Sequence, residues 1–219
     1  MAIRAAIFDL DGTLLDSTGI WRQIDEIFLG RRGFDVPADY FEAVSSMNLQ
    51  QGAEYTKARF SLSDTHEAII AEWHEMALHA YAETIPLKPG AAQILRKLSA
   101  QGVRLALATA SDPTYYIPAL RRCGVLDLFD VCVHARPGLY KGSAAFYLHC
   151  AAELDVCPEE CVVFEDVYTG IRSAKEAGMY AIAVADPHSA ARQAEIKELA
   201  DRFLDSFEDL LESMDCGPA

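Results

Sequence analysis

The sequence is short of positive charge. Nineteen Lys and Arg stand against 33 Asp and Glu, a formal net charge of −14. That balance excludes the basic footprint of a nucleic-acid or anionic-membrane binder, so an anionic ligand has to be held by local positive charge or by a metal. No apolar run of about 18 residues occurs, which excludes a membrane-spanning helix. The six cysteines (Cys123, Cys132, Cys150, Cys157, Cys161 and Cys216) include no CxxC pair. Cys157 and Cys161 are four apart, with no second ligand pair to complete a zinc site. The apolar start runs directly into the first strand, with no signal segment before it, so reduced thiols and a cytoplasmic location are expected. His66, His74 and His79 lack ligand spacing, and His134, His149 and His188 carry no functional claim. There is no internal repeat and no low-complexity tract.

What is present is a chain of 219 residues with 51% hydrophobic content, enough to bury a core and to add a smaller insertion to one domain. Its organising stretch is IRAAIFDLDGTLLDS, Ile3 to Ser17. Ala5 to Phe8 form an apolar run that ends in Asp9, as expected of a parallel strand buried on both faces with a charge at its carboxyl end. Asp9 and Asp11 flank a single residue, and two carboxylates that close repel unless a cation or a proton sits between them. Gly12 permits a tight turn whose exposed N–H groups, with Thr13 beside them, face an anion. A cap for the turn is the plainer reading of such a pair, and a bare DxD would favour it.

Strand character then vanishes until about Val103. Residues 18–87 read as helices: Ile20, Trp21, Ile24, Ile27 and Phe28 recur at helical spacing, as do Ala68, Ile69, Trp73, Met76, Ala77 and Ala80. Thr84 to Gly90, with Pro86 and Pro89, reads as a return linker. Beyond it, strands and helices alternate. Strands are predicted at 103–108, 129–134, 161–164 and 180–185, with an edge strand added at Phe203 and Leu204. Alternation predicts a doubly wound parallel sheet with right-handed crossovers and a site outside the carboxyl ends of its strands. The polar candidates fall at those ends. Thr109 and Ala110 follow the second strand, where a hydroxyl and backbone N–H groups suit a phosphoryl oxygen; Ser111 or Asp112, before Pro113, reads as a helix cap. Lys141 precedes the helical run Ala145, Phe146, Tyr147. Glu165 and Asp166 end the fourth strand, where adjacent buried acids need a counter-charge and oxygen ligands favour Mg²⁺; the plainer reading is acids at a helix N-terminus.

Taken together, DLDGTLLD, LATAS, Lys141 and VVFEDVYTGIRSAKEAGM resemble the four motifs of the haloacid dehalogenase (HAD) superfamily, over residues 1–17 and 88–205. The departure lies at Lys141, where Gly142 and Ala144 replace the family's prolines and Ala145 its aspartate. The resemblance implies a Rossmann-like α/β core (1–17 and 88–219) with a small helical cap (18–87) that opens and closes on substrate. It implies Asp9 as the nucleophile that forms an aspartyl-phosphate, and Asp11 as the general acid and base. Mg²⁺ would be held by Asp9, the Asp11 carbonyl, Asp166 and Glu165, directly or through water, while Gly12, Thr13, Thr109, Ala110 and Lys141 would grip the phosphoryl group.

The position ten residues after Asp11, where β-phosphoglucomutase carries a histidine, is Trp21, which cannot shuttle a proton. Val44 to Leu49 also lacks that enzyme's arginine. Both gaps favour hydrolysis. The expectation is a Mg²⁺-dependent phosphatase acting on a small phosphomonoester such as a sugar phosphate, with a phosphosugar mutase as the alternative. A metal-free dehalogenase is disfavoured by Asp11 and the Glu165–Asp166 pair, and a non-catalytic binding protein by the full set of motif acids. Trp21 and Arg22 are candidates for leaving-group specificity, against the plainer reading of Trp21 as core of the helical segment. The sequence assigns no oligomeric state and is compatible with a monomer.

Overall fold

The computed structural model describes residues 3–44 and 47–215. Cys216 and, within the Val44 to Leu49 stretch, Ser45 and Ser46 lie outside the described residues. The chain divides into two units: one runs to Thr18 and resumes at Ile85, and the other is Gly19–Thr84.

The larger unit is a six-stranded, all-parallel sheet. Its strands are β1 (Ala5–Phe8), β2 (Arg104–Thr109), β3 (Val131–His134), β4 (Cys161–Glu165), β5 (Tyr180–Val184) and β6 (Arg202–Leu204), in the order β3-β2-β1-β4-β5-β6. Every residue of β1 is buried, which is why its sequence is a continuous apolar run and not an alternating one. Alternate residues still feed opposite layers. Ala5 and Ile7, with Val163 and Ala183, face Phe146, Tyr147 and Cys150 of α7 (Ala144–Glu153) and Ile171 and Ala174 of α8 (Tyr168–Glu176). On the other face Phe8 stacks on its register partner Phe164, with centroids 4.4 Å apart and planes within 1°, and both lie against Phe207 of α10 (Phe207–Asp215). Because β1 pairs with β2 on one side and β4 on the other, the strand order reverses at β1, which places a crevice beyond its carboxyl end.

Among the described residues the other α-helices of this unit are α5 (Ala91–Ala100), α6 (Pro113–Arg122) and α9 (Gln193–Leu199), the last preceded by a 3₁₀ segment, Pro187–Arg192. The helix expected over 191–199 is therefore split in two, because Asp186 caps the 3₁₀ segment and Pro187 opens it.

The smaller unit contains α1 (Ile20–Gly30), α2 (Tyr40–Val44), α3 (Leu49–Phe60) and α4 (His66–Glu83). Asn48 and Gln51 form a capping box on α3, and Thr65 caps α4. Ile20, Ile24 and Phe28 line the buried stripe of α1, and Phe28 meets Trp73 edge-on at 5.6 Å. Arg32 bonds Asp64 and Glu72 at 2.8 and 2.7 Å and lies over the Phe28 ring. Trp21 and Ile27, which share the helical spacing, instead face solvent at 42% and 48% exposure, so Trp21 is not core. Among the described residues no helix is long and apolar enough to cross a membrane.

Candidate active site

Strand β1 delivers Asp9 to the crevice. The Asp9 N–H still bonds Phe164 O at 3.0 Å, as if the strand continued, and the chain then turns sharply. Gly12 holds the turn with φ +82°, a conformation that suits glycine. A side chain there would also collide with Asp166, whose Oδ2 lies 2.6 Å from where a Cβ would stand. The turn brings the buried Thr13 hydroxyl to 3.0 Å from Asp9 Oδ2 and 3.1 Å from Asp166 Oδ1. One hydroxyl proton cannot serve two carboxylates at once, so the pair calls for a further proton or cation.

Lys141 supplies one positive charge. Its ammonium bonds Asp9 Oδ1 and lies 2.8 Å from Glu165 Oε1. Burial opposes its charge, but the attraction of Asp9 and Glu165 outweighs this and raises its pKa above the ordinary lysine value. The carboxylates are strained in the opposite sense. Burial raises the Asp9 pKa well above the ordinary value; Lys141 lowers it, while Glu165 and Asp166 push it further up. Asp166 is pushed up to about 6, again by burial first and then by Glu165, with Lys141 opposing.

Glu165 is fully buried and bonded on both oxygens. Tyr147 O–H donates to Oε1 at 3.1 Å beside Lys141, and Oε2 accepts the N–H groups of Asp166 and Val167 at 2.9 and 3.0 Å. It thus orders the turn into α8 and faces the Lys141 ammonium as well.

Asp11 is held separately. Ser17 Oγ donates to its Oδ1 at 2.7 Å and Ser111 Oγ to its Oδ2 at 2.6 Å. Ser111 is therefore not the cap of α6; Asp112 is, accepting from Thr114 N–H at 2.9 Å. Thr109 is buried at the end of β2, where its hydroxyl accepts the Ser111 N–H at 2.9 Å, and Ala110 beside it is exposed.

Asp9, Glu165 and Asp166 each offer an oxygen within 4.8 Å of the others, all three buried. An all-oxygen set of this kind suits a hard divalent cation, and three buried carboxyl groups facing the Lys141 ammonium leave a negative charge that such a cation would offset. The Asp11 carboxylate is not one of the three.

The structure thus joins Asp9, Thr13, Lys141, Glu165 and Asp166 in one hydrogen-bonded cluster, with Gly12 packed on it. Asp11 and Thr109 are linked through Ser111. Trp21 and Arg22 belong to the helical unit, where Arg22 bonds Glu26 at 3.1 Å and lies 4.4 Å over Phe41. Four contributors escape a reading of the sequence: Ser17, Ser111, Tyr147 and Ser189, whose Oγ donates to Asp166 Oδ2 at 3.3 Å. Ser111 reads only as a cap and Tyr147 only as helix, since nothing local marks either as facing an acid.

A sequence profile for hydrolases, the haloacid dehalogenase-like hydrolases, matches residues 3–178. Hexitol phosphatase B of Escherichia coli strain K12 is 30% identical, over 85% of this chain and 86% of that protein. Protein CbbY of Cereibacter sphaeroides is 32% identical, over 95% and 94%. Among solved structures, a putative beta-phosphoglucomutase from Thermotoga maritima superposes with a TM-score of 0.86 at 24% identity, covering 99% of this chain and 100% of that one; the likeness is one of fold. A profile match that spans the acids of β1 and β4, and relatives alike over most of their length, agree with the site built above: the chain belongs to the haloacid dehalogenase-like hydrolase family.

Proposed function

We propose that this protein is a Mg²⁺-dependent phosphatase that hydrolyses a small phosphomonoester, a sugar phosphate or similar metabolite, in the cytoplasm. The observation that carries the reading is the buried cluster of Asp9, Lys141, Glu165 and Asp166 at the carboxyl ends of β1 and β4. The name of the relative Hexitol phosphatase B supports the substrate class. Free cysteines at 123, 132, 150, 157 and 161 suit a reducing compartment.

In this reading Asp9 attacks phosphorus through a carboxylate oxygen. The bond to the leaving oxygen breaks, and Asp11, held by Ser17 and Ser111, gives that oxygen its proton. Water then attacks the aspartyl-phosphate, Asp11 takes the proton, and Asp9 and inorganic phosphate are released. Lys141 and Thr109, with backbone N–H groups of Thr13 and Ala110, hold the phosphoryl oxygens; the Gly12 N–H is already bonded to Leu15 O at 3.0 Å, so Gly12 shapes the turn and does not grip the phosphoryl group. Asp9 and Asp166, with Glu165 beside them and the Asp11 carbonyl, would hold Mg²⁺, which supplies charge neutralisation of the phosphoryl group when bound. The helical unit is assigned the role of a cap, and Trp21 and Arg22 on α1 the recognition of the organic group. An unchanged KM and substrate preference in Trp21→Ala would reject that assignment.

Phosphate release from a panel of sugar, nucleotide and glycolytic phosphates, with Mg²⁺ and with EDTA, tests the proposal. Release that needs Mg²⁺ and that Asp9→Asn abolishes is the expected result. Release that survives either EDTA or the substitution overturns the mechanism, and interconversion of glucose phosphates without net release overturns hydrolysis in favour of transfer.

A further inference from the structure

A second buried ion pair lies in the larger unit, between two residues outside the four motifs. Lys88 Nζ approaches Asp186 Oδ2 at 2.7 Å, with side-chain exposures of 12% and 0%. The contact is a close approach of charges and not an aligned hydrogen bond; the aligned bond from Lys88 goes to Ala185 O, at 2.8 Å. Buried charge on either side chain is costly unless paired, so an isolated pair at this position needs a reason.

The reason lies in what each partner is tied to. Lys88 sits on the segment that returns to the sheet: Leu87 bridges Leu15, and the Lys88 N–H donates to Leu14 O at 2.8 Å. Its backbone is thus fixed to the turn that carries Asp11, Gly12 and Thr13. Asp186 sits just past β5. Its Oδ1 accepts the His188 N–H at 2.9 Å and its carbonyl the Ser189 N–H at 3.1 Å, so it shapes the tight turn that presents Ser189. Ser189 Oγ then donates to Asp166 Oδ2, the oxygen opposite the one bonded by Thr13. Asp166 meets a hydroxyl at each oxygen, one from the β1 turn that it shares with Asp9 and one from the β5 turn, and the Lys88–Asp186 pair ties those two turns together.

We propose that Lys88 and Asp186 are positioning residues that set the Asp166 carboxylate for a divalent cation, acting through Ser189. The proposal rests on the phosphatase reading for its use of Asp166, and its test is separable from that reading. Groups that orient a metal's ligands are worth about 10-fold or more in metal affinity.

The test is Mg²⁺ binding to the purified full chain by titration calorimetry, with the melting temperature of each protein measured in EDTA. Ser189→Ala removes one hydroxyl and leaves the ion pair, so it should fold normally and weaken Mg²⁺ binding about 10-fold at an unchanged melting temperature. Lys88→Met with Asp186→Asn removes both charges together and should weaken binding to a similar degree. Adding Ser189→Ala to that double variant should weaken it little further, because the three residues act along one path. Mg²⁺ affinities of Ser189→Ala and the double variant within about twofold of wild type, or losses that multiply, overturn the proposal. Wild-type Mg²⁺ binding without release of phosphate from any substrate overturns the functional reading alone. Absence of Mg²⁺ binding by the wild type overturns both.

Discussion

Ser111 Oγ donates to Asp11 Oδ2 at 2.6 Å across a separation of 100 residues. With Ser17 on the other oxygen, it leaves the Asp11 carboxylate little freedom to rotate. Under the proposed mechanism Asp11 gives a proton to one oxygen and takes one from another, and such a group gains from being held in that way.

Ser111→Ala should therefore lower kcat and leave KM nearly unchanged. A hydrogen bond to a charged group contributes about 1.5–3 kcal/mol, which corresponds to roughly ten- to a hundredfold in rate if it is needed only for the chemical step. Steady-state kinetics on the best substrate of the panel decide the matter, and an unchanged kcat would remove Ser111 from the mechanism.

Lys141 is the positive charge set between the buried Asp9 and Glu165, so Lys141→Met should both slow turnover and destabilise the fold. If Lys141 holds the phosphoryl group as proposed, the rate loss expected on its removal is about 10²–10³-fold. The destabilisation should be larger in EDTA than in Mg²⁺, because a bound cation would replace part of the missing charge. Melting curves of the variant with and without Mg²⁺ test this. Equal losses in both would show that Lys141 does not share its acids with a cation.

Gly170, third residue of α8, stands where a Cβ would fall onto the Glu165 carboxyl group. Alanine is worth about 1 kcal/mol over glycine within a helix, so an exposed site would gain from Gly170→Ala. Here overpacking, at about 1–3 kcal/mol, should prevail, and the displaced Glu165 should disturb Lys141. The expected result is a lower denaturant midpoint together with loss of activity. A more stable, active variant would show that the turn between β4 and α8 yields easily.

Asp25, buried on α1, provides the pH prediction. Its Oδ1 lies 3.3 Å from Tyr40 Oη, which is also 2.7 Å from Thr56 Oγ1, and Thr56 donates to Gly52 O. Tyr40 has one proton for two acceptors, so an ionised Asp25 competes with Thr56, whereas a protonated one brings its own. Burial pushes the Asp25 pKa from 3.8 up to about 7, with Tyr40 lowering it and Glu26 raising it. The folded state thus holds this proton more tightly than the unfolded chain. Its stabilising contribution is complete below about pH 4 and is lost as pH rises to about 7. Asp25→Asn should melt higher than wild type at about pH 8, with the difference shrinking towards about pH 5. A wild-type melting temperature that the substitution leaves parallel across that range would contradict the assignment.

Local composition dictates the strands and the ends at which acids sit. Ala5 to Phe8 are buried on both faces, and a short apolar run that stops at an acid before a glycine turn is the pattern of a buried parallel strand with a charge at its carboxyl end. The same logic holds for β4, which runs into Glu165 and Asp166. The helical character of 18–87 was legible too, because the 3.6-residue period is local. That period does not say where an aromatic residue points: the stripe on α1 selects Ile20, Ile24 and Phe28, and Trp21 falls outside it.

The partners come from the assembled sheet. Ser111, Tyr147, Ser189, Lys88 and Asp186 are ordinary letters in their own segments. They acquire meaning when parallel pairing sets β1, β2, β4 and β5 in register and their carboxyl ends converge. The Glu165 oxygens, each taken by named donors, show the same division. Strand β4 dictates that an acid stands there, but the neighbours that orient it arrive from α7 and from the Lys141 loop, and no local period in the chain records that meeting.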